Sequence, residues 1–497
     1  MLSIRRDEFI PYSIVILFGI ILLCYTGIRA KHLSFTHDES LSYFAINFIG
    51  HWWRSANNHV LHSILMKSSQ ILGGNSEFSL RFPNLIAHLL YIVFSFLIAR
   101  RNRSYILLIG YFLLLNTNPI VLEFFGLARG YGLGLAFMLG SLYFFIRTQE
   151  TPKVYTRSLF YTSFLGMLSV LSNFTLLNYY LSLWLTIGLL QIINYERMDL
   201  YSWKIFLRRN IGTIVCNVIF FSFVLPIIFY LKLHGQFYVG GKAGFWNDTV
   251  ISLIRHSVFH GKHGDYVIDV ISSIVAILFI STIILSTYLS ITQNQLSKSI
   301  SITLVISISI TSLITQHHLI NTPYLAGRTG LFFIPLFYLL LILCMEKLTT
   351  VFPAIGKAIY SSILLLFCTA SCWNLVRNVD FTGTYTSPTD ANTKTMMADL
   401  RQEFKNGNAT AISLGSNWKF EPTINFYRLS WDLGWLKPAT REGLLNKDYD
   451  YYYMFEYERD ELLNIGKQVL IINSYFPANT VLAKFVRIPE NTRSERK

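Results

Sequence analysis

About eleven apolar runs, joined by short polar links, decide what this chain is able to fold into. They lie near residues 10–28, 82–99, 105–116, 126–146, 158–172, 174–193, 211–231, 266–290, 300–316, 329–345 and 358–374. Most approach the roughly 20 residues that a helix needs to cross a hydrocarbon core; the third and fifth are short. Inside lipid every backbone N–H and C=O must be paired within the structure, so successive runs of this kind read as membrane-spanning helices. Composition agrees, with 52% hydrophobic and only 14% charged residues where soluble domains carry about 25%. The expected class is mainly α: a polytopic membrane helical bundle.

The formal charge of +14 is not a nucleic-acid footprint, because of where it sits. Residues 1–374 carry 26 Lys and Arg against 13 Asp and Glu, whereas 375–497 carry 16 against 15. The excess belongs to the apolar part and orders it across the bilayer. With the N-terminus cytoplasmic, the inner links hold 15 Lys/Arg in 63 residues and the outer loops 8 in 110, as the positive-inside rule requires. The first run follows Arg5 and Arg6 and has no small-residue cleavage site before Arg29-Ala30-Lys31, so it reads as a retained signal anchor. The expected location is an integral protein of a bacterial inner membrane, with the 30–80 loop and the C-terminal tail extracytoplasmic. The five cysteines all fall in apolar runs, are odd in number, and are expected to be buried structural thiols rather than a disulfide framework.

The first outer loop contains Phe35-Thr36-His37-Asp38-Glu39-Ser40. Ionised carboxylates this close to a bilayer are costly unless they have a task or a partner, which makes Asp38 and Glu39 the leading functional candidates. Asp is also a common helix cap, and a helix starting at Glu39 or Ser40 would use Asp38 in that way. Further along the loop, Val60, Ile64, Leu65, Ile71 and Leu72 recur at helical spacing while His59, Ser63 and Lys67 repeat on another face. That pattern predicts an interfacial helix over 57–72, capped by Asn57 or Asn58 and stopped at Gly73-Gly74. Its polar face is expected to look toward Asp38.

Past residue 374 the chain turns polar and alternates helical with extended segments. A helix is predicted over 387–407 with Met396, Met397, Leu400 and Phe404 inward, strands at 409–414, 451–457 and 468–474, and helices near 420–430 and 458–464. This makes 375–497 a small α/β extracytoplasmic domain beside a membrane domain at 1–374.

Charged and imidazole groups assigned to the outer face include His37, His59, His62, Lys67, Arg81, Glu123, Arg129, Lys242, Arg255, His317, His318 and Arg328. Cations on several loops around a carboxylate pair suit chemistry on a phosphate-bearing lipid, in which a leaving phosphate needs positive charge and an attacking hydroxyl needs a base. Several of these residues have plainer uses. Arg81 before Pro83 reads as a snorkelling anchor, Arg129 and Arg328 as headgroup anchors, and the histidines as interfacial hydrogen-bonding groups. Glu123 is open to either use, and Asp448-Tyr449-Asp450 reads as a solvated strand edge.

Certain motifs in this order carry a family resemblance. After one span come His37-Asp38-Glu39-Ser40, Asn57-Asn58-His59-Val60-Leu61-His62 and Ser76-Glu77-Phe78-Ser79-Leu80-Arg81-Phe82-Pro83. Then follow Leu127-Ala128-Arg129-Gly130-Tyr131 and Tyr324-Leu325-Ala326-Gly327-Arg328-Thr329-Gly330. Over roughly 10–375 the chain resembles the GT-C superfamily of polytopic glycosyltransferases, in the branch holding protein O-mannosyltransferases and the aminoarabinose transferase of lipid A. The resemblance implies a polyprenyl-phosphate sugar donor and an acceptor hydroxyl on a lipid-linked glycan, a lipid or a protein. It implies Asp38 as general base with inversion at the sugar carbon, and Glu39 as a residue that orients the site or the acceptor. His37, His59 and Tyr131 then fall in the substrate site, and Lys67, Arg129 and Arg328 hold the lipid phosphate. The family often has Pro-Pro where this chain has His59-Val60, and the first loop has no Asp-x-Asp. No metal or other cofactor is therefore expected. The competing readings are a polysaccharide ligase or polymerase, which usually relies on a large late outer loop where this chain has only 317–328, and a transporter, which usually places acidic residues within its spans.

Overall fold

The computed structural model describes residues 6–48, 55, 57, 59–101, 104–150, 154–195, 203–236, 240–258, 264–292, 298–351 and 355–486. Up to residue 377 the described elements are helical: α1 (Arg6–His32), α2 (His37–Phe48), α3 (Val60–Gly73), α4 (Glu77–Ala99), α5 (Tyr105–Asn116), α6 (Pro119–Glu123), α7 (Gly130–Thr148) and α8 (Tyr155–Ser172). They continue with α9 (Leu177–Tyr195), α10 (Trp203–Leu233), α11 (Ser252–Val258), α12 (Asp265–Thr292), α13 (Lys298–Ile320), α14 (Phe333–Val351) and α15 (Ile355–Arg377). Each of the eleven apolar runs falls on one of these helices.

Among the described residues seven helices are long and apolar enough to cross a membrane: α1, α4, α7, α9, α10, α12 and α13. The chain is an integral membrane protein. α5 is apolar but has only 12 residues, and it is buried rather than lipid-facing. Leu107, Leu108, Tyr111, Phe112, Leu114 and Leu115 pack with Ile342 and Met345 of α14 and Tyr360, Leu364 and Cys368 of α15.

The cysteines divide differently from the expectation. Cys344 and Cys368 are buried and Cys372 partly so, but Cys24 and Cys216 are exposed. A thiol is apolar enough to sit on the outward face of a spanning helix, so lying in an apolar run does not bury it.

α3 begins and ends close to the predicted helix, and its faces divide as an interfacial helix requires. Val60, His62, Ser63 and Met66 are buried, whereas Ile64, Ile71 and Leu72 are exposed. An apolar outward face against a partly polar inward one is the arrangement a lipid environment favours. His59, not Asn57, precedes the helix, and Asn58 lies outside the described residues.

The tail contains α16 (Thr393–Asn406), β1 (Leu414–Ser416), α17 (Glu421–Ser430), β2 (Tyr451–Phe455), α18 (Glu458–Asn464), β3 (Val469–Tyr475) and β4 (Thr480–Phe485). Its sheet runs β1-β2-β4-β3, with β1 parallel to β2 and the other pairs antiparallel. Met396, Met397 and Leu400 are fully buried as the spacing predicts, and Phe404 stacks on Trp435 at 4.1 Å. β4 is an addition to the three predicted strands. Asp450 is not a solvated edge, since it accepts from the Ser413 N–H and hydroxyl at 2.8 and 2.7 Å.

Packing divides the chain into two compact units: Met1–Gly27, Trp53–Met66 and Phe82–Val379 in one, and Ile28–Trp52, Lys67–Arg81 and Asp380–Lys497 in the other. The expected division at 374/375 followed the chain linearly. In the structure the loop carrying Asp38 clusters with the tail, and the reason is local. α2 packs on α17, with Phe35 stacked on Phe426 at 4.1 Å, Tyr43 edge-on to the same ring at 5.1 Å, and the Phe35 N–H donating to Tyr427 Oη at 2.8 Å.

Candidate functional site

In the unit containing the tail, the candidate residues are organised by the first turn of α2. Thr36 and Glu39 form a capping box: the Thr36 N–H donates to Glu39 Oε2 at 2.9 Å and the Glu39 N–H to Thr36 Oγ1 at 3.4 Å. The cap is therefore Thr36, and Asp38 sits inside the first turn of the helix, half-buried. Its backbone carbonyl accepts from Ser42 Oγ at 3.0 Å.

Glu39 is fully buried, and both its oxygens accept from Arg81, from Nε and from Nη2, at 2.7 Å each. The remaining Arg81 donors reach the carbonyls of Ala30, Leu33 and Ser34 at 3.2, 2.9 and 2.8 Å, at and just past the end of α1. Arg81 therefore does not snorkel. It is 0% exposed and ties the end of α1 to the start of α2, which fixes the direction in which Asp38 leaves the backbone.

The tail contributes to the same turn. Asp390, 2% exposed, accepts from the His37 N–H at 2.8 Å and from Thr423 Oγ1 at 3.3 Å. Burial pushes its carboxyl up to about 7; the two hydrogen bonds oppose the rise, and the charges of Asp38 and Glu39 add to it. His37 donates from Nδ1 to the Lys419 carbonyl at 2.7 Å and meets the exposed Trp418 edge-on at 5.9 Å. Lys67 bonds Asn47 Oδ1 and Gln70 Oε1 at 2.6 and 3.0 Å.

The membrane unit brings together a second group, formed by His59, His62, Arg129, Tyr131 and Arg328. Arg129 precedes α7 in extended conformation. It is buried, donates to Asn57 Oδ1 at 2.6 Å, and lies 6.0 Å from the Tyr131 ring centroid, which His59 meets edge-on at 5.1 Å. Asn84 on α4 holds the preceding turn by donating to the carbonyls of Phe124, Leu127 and Arg129. Gly130 is required here: a Cβ would overlap the Ser172 carbonyl oxygen and lie 2.5 Å from the His59 ring.

Burial first, then the charges of Arg129, His62 and Arg328, hold His59 well below the usual imidazole range. Burial and Arg129 push His62 down to about 3. Both rings are neutral at physiological pH, and each has a buried Nε2 with no hydrogen-bond partner among the described residues. Arg328 lies in the turn Gly327–Gly330 and lines one small cavity together with Tyr131. The Gly327 N–H of that turn donates to Ser252 Oγ of α11 at 2.8 Å. Next along α11, Leu253, Ile254 and Val258 form, with Ile274, Ile306 and Phe337, the wall of an apolar cavity of about 660 Å³.

The structure thus gathers His37, Asp38, Glu39 and Lys67 in one unit and His59, Arg129, Tyr131 and Arg328 in the other. Sequence reading missed Asp390, which stands in an ordinary Pro-Thr-Asp turn with no motif around it. It also missed His256, whose imidazole is lowered by burial while Glu123 raises it and Arg328 lowers it. The Thr36-x-x-Glu39 spacing was a signal that would have identified the cap.

No protein-family model matches the chain, and no curated protein matches it. Solved structures do. ArnT from Cupriavidus metallidurans in the apo state is similar with a TM-score of 0.55 at 10% identity, over 95% of this chain and 98% of that one. The same protein bound to undecaprenyl phosphate gives 0.53 at 9%, over 95% and 97%. The archaeal oligosaccharyltransferase AglB from Archaeoglobus fulgidus gives 0.43 at 11%, over 89% and 70%. The chain shares its fold with ArnT, in keeping with the GT-C resemblance carried by the motifs across residues 10–375.

Proposed function

We propose that the protein is an inverting membrane glycosyltransferase, moving a sugar from a polyprenyl-phosphate donor to an acceptor hydroxyl on the extracytoplasmic face of a bacterial inner membrane. The observation that carries the reading is that the charges of two guanidinium groups, Arg129 and Arg328, both act on the buried His59 imidazole, with a large apolar cavity on the helix that anchors the Arg328 turn. A phosphate attached to a long hydrocarbon chain is the ligand that uses both features. ArnT, whose fold the chain shares, has been solved with undecaprenyl phosphate bound.

In this reading the acceptor O–H gives its proton to the Asp38 carboxylate and its oxygen attacks the anomeric carbon. The bond from that carbon to the phosphate oxygen breaks, and the electron pair leaves with polyprenyl phosphate, whose charge Arg129 and Arg328 stabilise. Tyr131 and His59 line the phosphate site, Lys67 adds a further cation, and His37 borders the base. Glu39, with both oxygens engaged by Arg81, orients the base and does not react. The acceptor class is a hydroxyl on a lipid-linked glycan, a lipid or a protein. The excess of Lys and Arg on the opposite links supports the extracytoplasmic assignment.

The test is Asp38→Asn in purified protein supplied with polyprenyl-phosphate sugars. Transfer is expected to vanish while donor binding, followed by native mass spectrometry, persists; retained transfer removes Asp38 as the base.

A further inference from the structure

The tail carries a buried carboxyl group that the reaction as written does not use. Asp390 lies 352 positions after Asp38 in sequence, yet one of its oxygens is committed to the helix that carries Asp38 and the other to α17, which packs on that helix. Oδ2 takes the His37 N–H, one of the first-turn donors of α2 that has no partner within the helix, and Oδ1 takes the Thr423 hydroxyl. Thr423 in turn stands 3.5 Å from Ser40 Oγ on the next turn of α2. The first turn of α2 is therefore capped twice, once locally by Thr36 and once from the tail.

We infer that Asp390 is a positioning residue for Asp38, holding the first turn of α2 from the tail and setting the electrostatic field in which the Asp38 carboxylate works. The role of the tail follows: it completes the mounting of the base, so its contribution to turnover does not depend on which acceptor is used. This inference rests on the glycosyltransferase reading for its kinetic consequence, but not for its structural one.

The kinetic consequence has a definite sign. The titratable groups acting on Asp390 are Asp38 and Glu39 on α2 and Tyr453 on β2, with Arg81 neutralising Glu39 from α4. Because the Asp390 carboxyl titrates near 7, it is largely neutral at pH 6 and charged at pH 8.5. A second negative charge beside Asp38 makes Asp38 a stronger base, so ionisation of Asp390 raises the transfer rate. For about one pK unit of added basicity the gain is about threefold. Asp390→Asn keeps an oxygen for the His37 N–H but cannot ionise.

Two measurements on the full-length protein test this. The first is the transfer rate at pH 6 and pH 8.5, with kcat and KM separated. The ratio of kcat at the two pH values is expected to fall about threefold in Asp390→Asn, with the donor KM unmoved. The second is amide hydrogen exchange, read by mass spectrometry, of the peptide spanning 33–44. Protection is expected to persist in Asp390→Asn and to drop by about tenfold or more in Asp390→Ala. An unchanged pH ratio in Asp390→Asn, or undiminished protection in Asp390→Ala, overturns the proposal. If the wild type transfers no sugar from any polyprenyl-phosphate donor, the functional reading fails while the exchange result still decides whether Asp390 holds the turn.

Discussion

Replacing Arg81 with methionine removes the one cation that faces Glu39 from α4, and the structure gives the scale of the loss. Both side chains are 0% exposed and joined by two bonds of 2.7 Å. After the substitution the carboxylate retains the Thr36 N–H, while the carbonyls of Ala30, Leu33 and Ser34 lose their Arg81 donors. Stripping one partner from a buried pair costs about 3–5 kcal/mol, and the lost carbonyl contacts add about 1 kcal/mol or more. The total, about 5 kcal/mol, is comparable to the whole stability of many domains. Glu39→Gln removes the charge that has to be matched, so the double substitution is expected to recover about 2–4 kcal/mol relative to Arg81→Met alone. Equilibrium unfolding of the detergent-solubilised protein, followed by tryptophan fluorescence across this double-mutant cycle, measures the coupling. A cycle that closes additively, or an Arg81→Met protein within about 1 kcal/mol of wild type, would refute the view that this pair locks the start of α2.

Two further outcomes are expected. Arg129→Ala or Arg328→Ala should weaken binding of a polyprenyl phosphate by tenfold or more, about 1.4 kcal/mol or above, with little effect on unfolding; titration by native mass spectrometry reads the first and thermal unfolding the second. Gly130→Ala should destabilise the protein by about 1–3 kcal/mol, because the added methyl overlaps the Ser172 carbonyl and crowds the His59 ring. The same variant should weaken lipid-phosphate binding, because it shifts the turn that carries Arg129.

The helices were legible because lipid imposes a length and a hydropathy that short sequence windows report directly, and each predicted run is a helix. The inward residues of α16 were legible for the same kind of reason, since Met396, Met397 and Leu400 repeat with the helical period. α3 was legible in the same way, because its apolar residues recur at helical spacing on one face: Ile64, Ile71 and Leu72 are exposed while His62 and Ser63 are buried. β4 escaped because Thr480–Phe485 includes Ala483 and Lys484, poor strand formers, and is held in place by neighbours on both sides.

At the candidate site, the sequence by itself determined that a carboxylate pair stands in the first loop, that Thr36-x-x-Glu39 can cap a helix there, and that cations recur in the loops around it. Only the tertiary structure decided what each group does. Glu39 and Arg81 are 42 positions apart, and His37 and Asp390 are 353 apart. Nothing in the local sequence of one names the other. Once water is excluded, a buried charge or an open N–H must find a partner wherever the fold brings one within about 3 Å. That requirement assigns Glu39 to Arg81 and the His37 N–H to Asp390, and leaves Asp38 half-buried on the turn they hold.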